Sequence, residues 1–94
     1  MKLEETIKAK LEMGDILDAV LRANYITLDD GKTTVCQLTM KNGFTVVATS
    51  SCVSPANFNR AIGEKVAWDN ALEKVWELEG YLLQQKRFEA GLVQ

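Results

Sequence analysis

Thr33-Thr34-Val35-Cys36-Gln37-Leu38-Thr39-Met40, then Lys41-Asn42-Gly43, then Phe44-Thr45-Val46-Val47-Ala48-Thr49-Ser50-Ser51 is the stretch on which the fold turns. Two runs rich in β-branched residues flank a short loop that ends in glycine, which reads as a β-hairpin. A three-residue loop built on a type I turn puts its glycine in the left-handed position. With that loop, Met40 pairs Phe44, Leu38 pairs Val46 and Cys36 pairs Ala48. A two-residue Asn-Gly loop would mix apolar and polar residues on each face, so the three-residue loop is preferred.

Upstream, Tyr25–Leu28 followed by Asp29-Asp30-Gly31 repeats the pattern. The same loop type pairs Leu28 with Lys32 and Ile26 with Thr34. Residues 24–53 then form a three-stranded antiparallel meander. Its even-numbered face carries Ile26, Leu28, Cys36, Leu38, Met40, Phe44, Val46 and Ala48, and should pack on a helix. Its odd-numbered face (Tyr25, Thr27, Thr33, Val35, Gln37, Thr39, Thr45, Val47, Thr49) is rich in threonine. That face is either solvated or a contact surface.

The flanks read as helix. In residues 1–23, Leu3, Ile7 and Leu11 make one stripe, and Ile16, Val20 and Ala23 make another. Gly14 lies between them and suggests a break, with Asp15 as a candidate N-cap. In residues 54–90, Ser54 and Pro55 suit an N-cap and a first helical position. Phe58, Ile62 and Val66 form one stripe; Ala71, Val75, Leu78 and Leu82 continue a buried face. Bends at Gly63 and Gly80 are left open. The expected fold class is α+β, in one domain over residues 1–94: an N-terminal helix, a three-stranded antiparallel meander and a long C-terminal helix.

Composition narrows the function. The 94 residues include 11 basic and 13 acidic side chains, a net charge of −2. Phosphate neutralisation drives duplex binding, so bulk nucleic-acid binding is not expected. Histidine is absent, which removes imidazole-based triads and the commonest zinc ligand. No enzyme, metal or cofactor is expected. Met1–Lys10 has no apolar signal-peptide core, and no run is long enough to span a bilayer. A cytoplasmic protein with reduced thiols is the default expectation. In the sheet register, Cys52 falls opposite Lys32, on the order of 13 Å from Cys36 at strand rise. A disulfide needs Cα atoms within about 7 Å, so none is expected. Cys36 reads as a small core hydrophobe.

Three groups of residues could carry function. Asn70 and Lys74 lie one helical turn apart and could hold an anionic or nucleotide-like ligand, with Lys65 nearby in sequence. The plain alternative is that Asn70 caps a neighbouring backbone and Lys74 pairs with Glu73 or Glu77. Ser50 to Asn57 leads from a strand into a helix N-terminus, where N–H groups favour anions. Ser51 and Asn57 are the polar candidates there, although capping accounts for Ser54 and could account for Asn57. Trp68, Trp76 and Tyr81 read as packing residues, or alternatively as a stacking platform for a base. Gly63, Ala67 and Ala71 recur every four residues and mark a tight helix crossing, within the fold or between subunits. The preferred reading is a homo-oligomeric seam between C-terminal helices. Two symmetry-related Lys74 side chains near that seam would call for an anion between them.

The run Leu38–Val46 and the run Ser51–Phe58 also resemble a family of small tailed-phage and prophage proteins, the gene 49 / gene 66 family. So do Ile62-Gly63, Lys65, Ala67, Asn70-Ala71, Lys74, Trp76 and Leu78–Leu83. The resemblance covers about the last three quarters of the chain and leaves the first dozen residues outside. It implies phage provenance and no particular activity. Asn70-Ala71 and Leu78-Glu79 are further similar to a step in the helical hairpin of phage anti-defence sponges. Those proteins oligomerise and sequester cyclic nucleotide signals. The arginines and tail of the sponges have no counterpart here. That similarity implies a nucleotide-like ligand; the other class of partner considered is a host or phage protein.

Overall fold

The computed structural model describes residues 7–93. Its elements are α1 (Met13–Ala19), β1 (Val20–Thr27), β2 (Thr33–Met40), β3 (Thr45–Ser51), a 3-10 turn at Pro55–Asn57 and α2 (Arg60–Glu89). The strands form one antiparallel sheet in the order β1-β2-β3. The chain is thus α+β.

The β2–β3 hairpin has the expected register. Gly43 has φ 91°, Met40 N–H donates to Phe44 O at 2.8 Å, and Gly43 N–H donates to Met40 O at 2.9 Å. Leu38 pairs Val46 and Cys36 pairs Ala48. Cys36, Leu38, Met40, Val46 and Ala48 are all buried. Phe44 is a correction: it pairs Met40 but is exposed, at the rim of a cleft with Ala19 and Leu78.

The first hairpin departs from the expected register by one residue. Thr27 pairs Thr34, Ile26 pairs Val35 and Tyr25 pairs Cys36. The loop holds four residues rather than three, closed by Leu28 N–H to Thr33 O at 2.9 Å. Asp30 makes the difference. Its carboxylate accepts from the N–H groups of Lys32 and Thr33 and from the Thr33 hydroxyl, so Lys32 joins the turn. Those bonds, the Thr33 hydroxyl foremost, hold the Asp30 carboxyl below its usual range. A slip of one residue inverts the faces of a strand. Tyr25 and Ala23 therefore pack toward the core, while Ile26 (59% exposed) and Leu28 lie on the outer face.

The N-terminal zone also needs correction. The stripe residue Leu3 lies outside the described residues. Strand begins at Val20, so Val20 and Ala23 are not helical. Helix α1 is only seven residues, with Glu12 as N-cap; Asp15 sits at its third position and accepts from Glu12 N–H at 2.8 Å. Gly14 is in its first turn rather than at a break. An extra residue at Leu21 makes a bulge where β1 leaves the helix.

Helix α2 starts later than expected. Ser54 caps the 3-10 turn, accepting from Ala56 N–H, and Asn59 caps the helix proper, accepting from Ile62 N–H at 3.1 Å. The helix then runs unbroken through Gly63 and Gly80. It buries Ala67, Ala71, Leu72 and Val75 on the sheet, while Ile62, Val66, Leu78 and Leu82 stay exposed. The small residues face the strands because they let the helix backbone approach closely. The ridge of Gly63, Ala67 and Ala71 is consumed here: both alanines are 0% exposed within the single chain. The close contact expected of this ridge is thus made with the chain's own sheet.

Both cysteines are free, Cys36 buried and Cys52 half-buried. Burial pushes the Cys36 thiol up from its usual pKa. Since the thiolate is the reactive form, titration with a thiol reagent should find Cys52 reacting in the native protein and Cys36 only as the chain unfolds. Equal rates for the two would argue against the helix seating on β2.

A groove at the end of the third strand

Strand β3 is an edge of the sheet, and helix α2 lies along it. The even-numbered residues of β3 bond to β2, so the odd-numbered carbonyls point outward. Two side chains of α2 meet them. Asn70 Nδ2 donates to Thr49 O at 2.9 Å, and Lys74 Nζ donates to Val47 O at 2.6 Å. The spacing follows from periodicity: residues one helical turn apart reach carbonyls two strand residues apart. Asn70 thus caps a neighbouring backbone, as the plain reading had it, and Lys74 bonds a carbonyl instead of Glu73 or Glu77.

Beyond Asn70, the end of β3, the 3-10 turn and the first turns of α2 enclose a groove of about 450 Å³. Ser51, Asn57 and Asn70, three of the residues singled out in the sequence, line it together with Lys32. Ser51 Oγ is 3.0 Å from Thr33 Oγ1, which ties the groove floor to the Asp30 turn. Ser50 Oγ donates to Gly63 O at 2.6 Å and pins the helix to the strand. Cys52 Sγ lies 3.2 Å from Ser54 O. Phe58, Ile62 and Val66 supply an apolar wall, and Asn59 stands at the helix start.

Among the described residues, the lining contains one cation, Lys32, and no carboxylate. The charge of Lys32 also acts on the carboxylate of Asp30, which lies outside the lining. The first turn of α2 also carries no acidic residue, so the partial positive charge of its N-terminus is not offset locally. By contrast, the cleft between residues 7–11 and the end of α2 is lined by Asp15, Asp18 and Glu79 as well as Lys8 and Lys86.

The remaining predicted site residues lie elsewhere. Lys65 pairs with Asp69 at 2.6 Å on the solvent side of α2. Lys74 stands in a shallow neighbouring cleft with Phe44 and Glu77. Tyr81 is 76% exposed, far along the helix. Sequence reasoning missed Lys32, Phe58, Asn59 and Ile62 as groove residues. The available signal was a second capping residue: Asn59 follows Pro55 by four positions, and a helix starting there leaves Asn57 and Phe58 in a bend.

Among the described residues, no helix is long and apolar enough to cross a membrane. No curated protein and no solved structure matched the chain. Residues 4–87 match the family described as Phage protein (N4 Gp49/phage Sf6 gene 66). The match begins at residue 4, so most of the first dozen residues, expected to lie outside, fall within it. With nearly the whole length matched, the hairpin, the 3-10 turn and the long helix are parts of one family pattern, and the chain belongs to this phage protein family.

Proposed function

We propose that the chain is a phage accessory protein, not an enzyme, that binds a nucleotide-like anion in the groove at the end of β3 and so sequesters it. The observation that carries this reading is the groove's lining. A cation and three amides, those of Asn57, Asn59 and Asn70, stand beside an apolar wall, with no carboxylate among the described lining residues. A nucleotide presents the complementary set: an anionic phosphate, hydrogen-bonding base edges and a flat apolar face. The volume of about 450 Å³ is of the size that small-molecule sites have. Absence of histidine and of a paired acid and base in the groove favours binding without turnover.

Titration calorimetry with cyclic dinucleotides, cyclic trinucleotides and cyclic ADP-ribose isomers tests the proposal. At least one class should give saturable heat, and heat denaturation of the complex should release that ligand unchanged. Lys32→Glu should weaken binding by at least about tenfold, since it replaces attraction with repulsion at one charge contact. The Lys32 side chain makes no structural bond among the described residues, so the fold should stand. If no class gives heat, or the released ligand is altered, the sequestering reading is wrong. A protein-binding role is the second reading, favoured by the exposed Ile26, Leu28 and Val47 on the outer sheet face.

A further inference from the structure

The two edges of the sheet are treated differently. On β3 the outward carbonyls of Val47 and Thr49 are taken by Lys74 and Asn70. On β1, Leu28 bonds to Thr33, so by alternation the N–H and C=O groups of Ala23, Tyr25 and Thr27 point away from β2. No described residue pairs with them. From Arg22 to Thr27 this edge is a regular strand without lysine, proline or bulge, devices that blunt an exposed edge.

The charges of β1 are arranged for one orientation of partner. Arg22 stands at one end, and Asp29 and Asp30 follow the other. We infer that β1 pairs antiparallel with β1 of a second copy of this chain, about a two-fold axis at Tyr25. In that register Tyr25 faces its own counterpart, and Ala23 faces the partner's Thr27. Three outward residues on each strand then give about six main-chain hydrogen bonds, two for each directly opposed bonded pair. Arg22 comes opposite the partner's Leu28, beside the partner's acidic turn. A parallel pairing would instead set Arg22 against the partner's Arg22. On the outer face the exposed Ile26 of each copy becomes diagonal to the other, within reach of apolar contact. On the helix side the half-buried Tyr25 rings meet.

The result is a six-stranded sheet ordered β3-β2-β1-β1-β2-β3, ending at both sides in the strands covered by Asn70 and Lys74. It closes as a dimer, and the side chains on the Val47 and Thr49 carbonyls oppose further pairing at the outer edges. The β3-end groove lies on the opposite edge from the axis, so each copy keeps it open. This inference goes beyond the ligand reading and does not depend on it.

Sedimentation equilibrium on the full chain tests it, with amide exchange as the second readout. The expected species at micromolar concentration is twice 10.5 kDa. Ile26→Lys and Thr27→Pro should each raise the dissociation constant by at least about tenfold, the first by charge repulsion near the axis and the second by removing an outward N–H. Val47→Lys, on the same face but on β3, should change it by less than about twofold, because it lies two strands from the axis. The amides of Ala23, Tyr25 and Thr27 should exchange slowly in the dimer and rapidly in Ile26→Lys. A monomer throughout the micromolar range overturns the inference. So does a dimer indifferent to Ile26→Lys, an assembly larger than two, or slow exchange of those amides in a monomer.

Discussion

Leu38→Ala is expected to cost about 2–5 kcal/mol, the range for emptying a buried leucine site. Leu38 is 0% exposed, on the central strand, between Ala23 of β1 and Val46 of β3. It has no side from which the structure can collapse into the space. It shares one core cluster with Ala67, Ala71 and Val75 of the helix, side chains too short to fill a leucine-sized space. Urea denaturation should therefore show a lower midpoint with an unchanged slope. Val53→Ala is the control, since Val53 is 95% exposed, and it should stay within about 0.5 kcal/mol. A loss under about 1 kcal/mol at Leu38 would mean that the helix does not sit on this face of the sheet.

Gly63→Ala should be costly although it improves helix propensity. A Cβ built there would lie 2.5 Å from Thr34 Oγ1 and 3.4 Å from Phe58 Cε1. Thr34 is buried on the central strand and cannot swing away. Overpacking of this kind costs about 1–3 kcal/mol, more than the roughly 0.5–1 kcal/mol gained on replacing a helical glycine. The Thr34 hydroxyl is itself buried without a partner among the described residues, so its removal loses no hydrogen bond. Thr34→Ala should then relieve the clash, and the double variant should cost less than the sum of the singles by about 0.5–3 kcal/mol. Strict additivity of the two changes in a urea-denaturation cycle would contradict the contact.

These two sites also mark what the sequence could and could not reveal. The β2–β3 register was legible because the Lys41-Asn42-Gly43 loop and the apolar alternation agree, and Leu38 falls where both put it. The β1–β2 register was not, because Asp29-Asp30-Gly31 looks like the same loop. The bonds of Asp30 to Lys32 and Thr33 lengthen it by one residue, and local composition does not announce such bonds. The consequence was an inverted strand, with Ile26 outside and Tyr25 inside. The small-residue ridge was legible as a close contact, but its partner was not. Periodicity identifies a face and is silent on whether the neighbour is the chain's own sheet or another copy. For the groove, Ser51, Asn57 and Asn70 were found as polar residues near a strand end and a helix. The expected register already set Lys32 opposite Cys52, and the bond from Cys52 N–H to Lys32 O bears that out. The position was read only for the cysteine spacing and not as part of a groove, because the bend at Asn57 and Phe58 that closes the groove was not foreseen.

Helix α2 is longer than the sheet beneath it. Its 30 residues span about 45 Å at helical rise, while eight strand residues span about 27 Å. Its buried residues, Ala67, Ala71, Leu72 and Val75, all precede Trp76. Past that point the helix is held by the N-terminal segment instead. Leu11 lies near Gly80, and Arg87 Nη1 donates to Lys8 O at 3.2 Å. One continuous helix therefore belongs to two cooperative units. Its first half can open only with the sheet, in global unfolding. Its last turns can come apart with residues 7–12 while the core stays intact, at a fraction of the free energy. The molecule thus carries a terminal segment that can fray without unfolding it, placed at the opposite end of the helix from the groove.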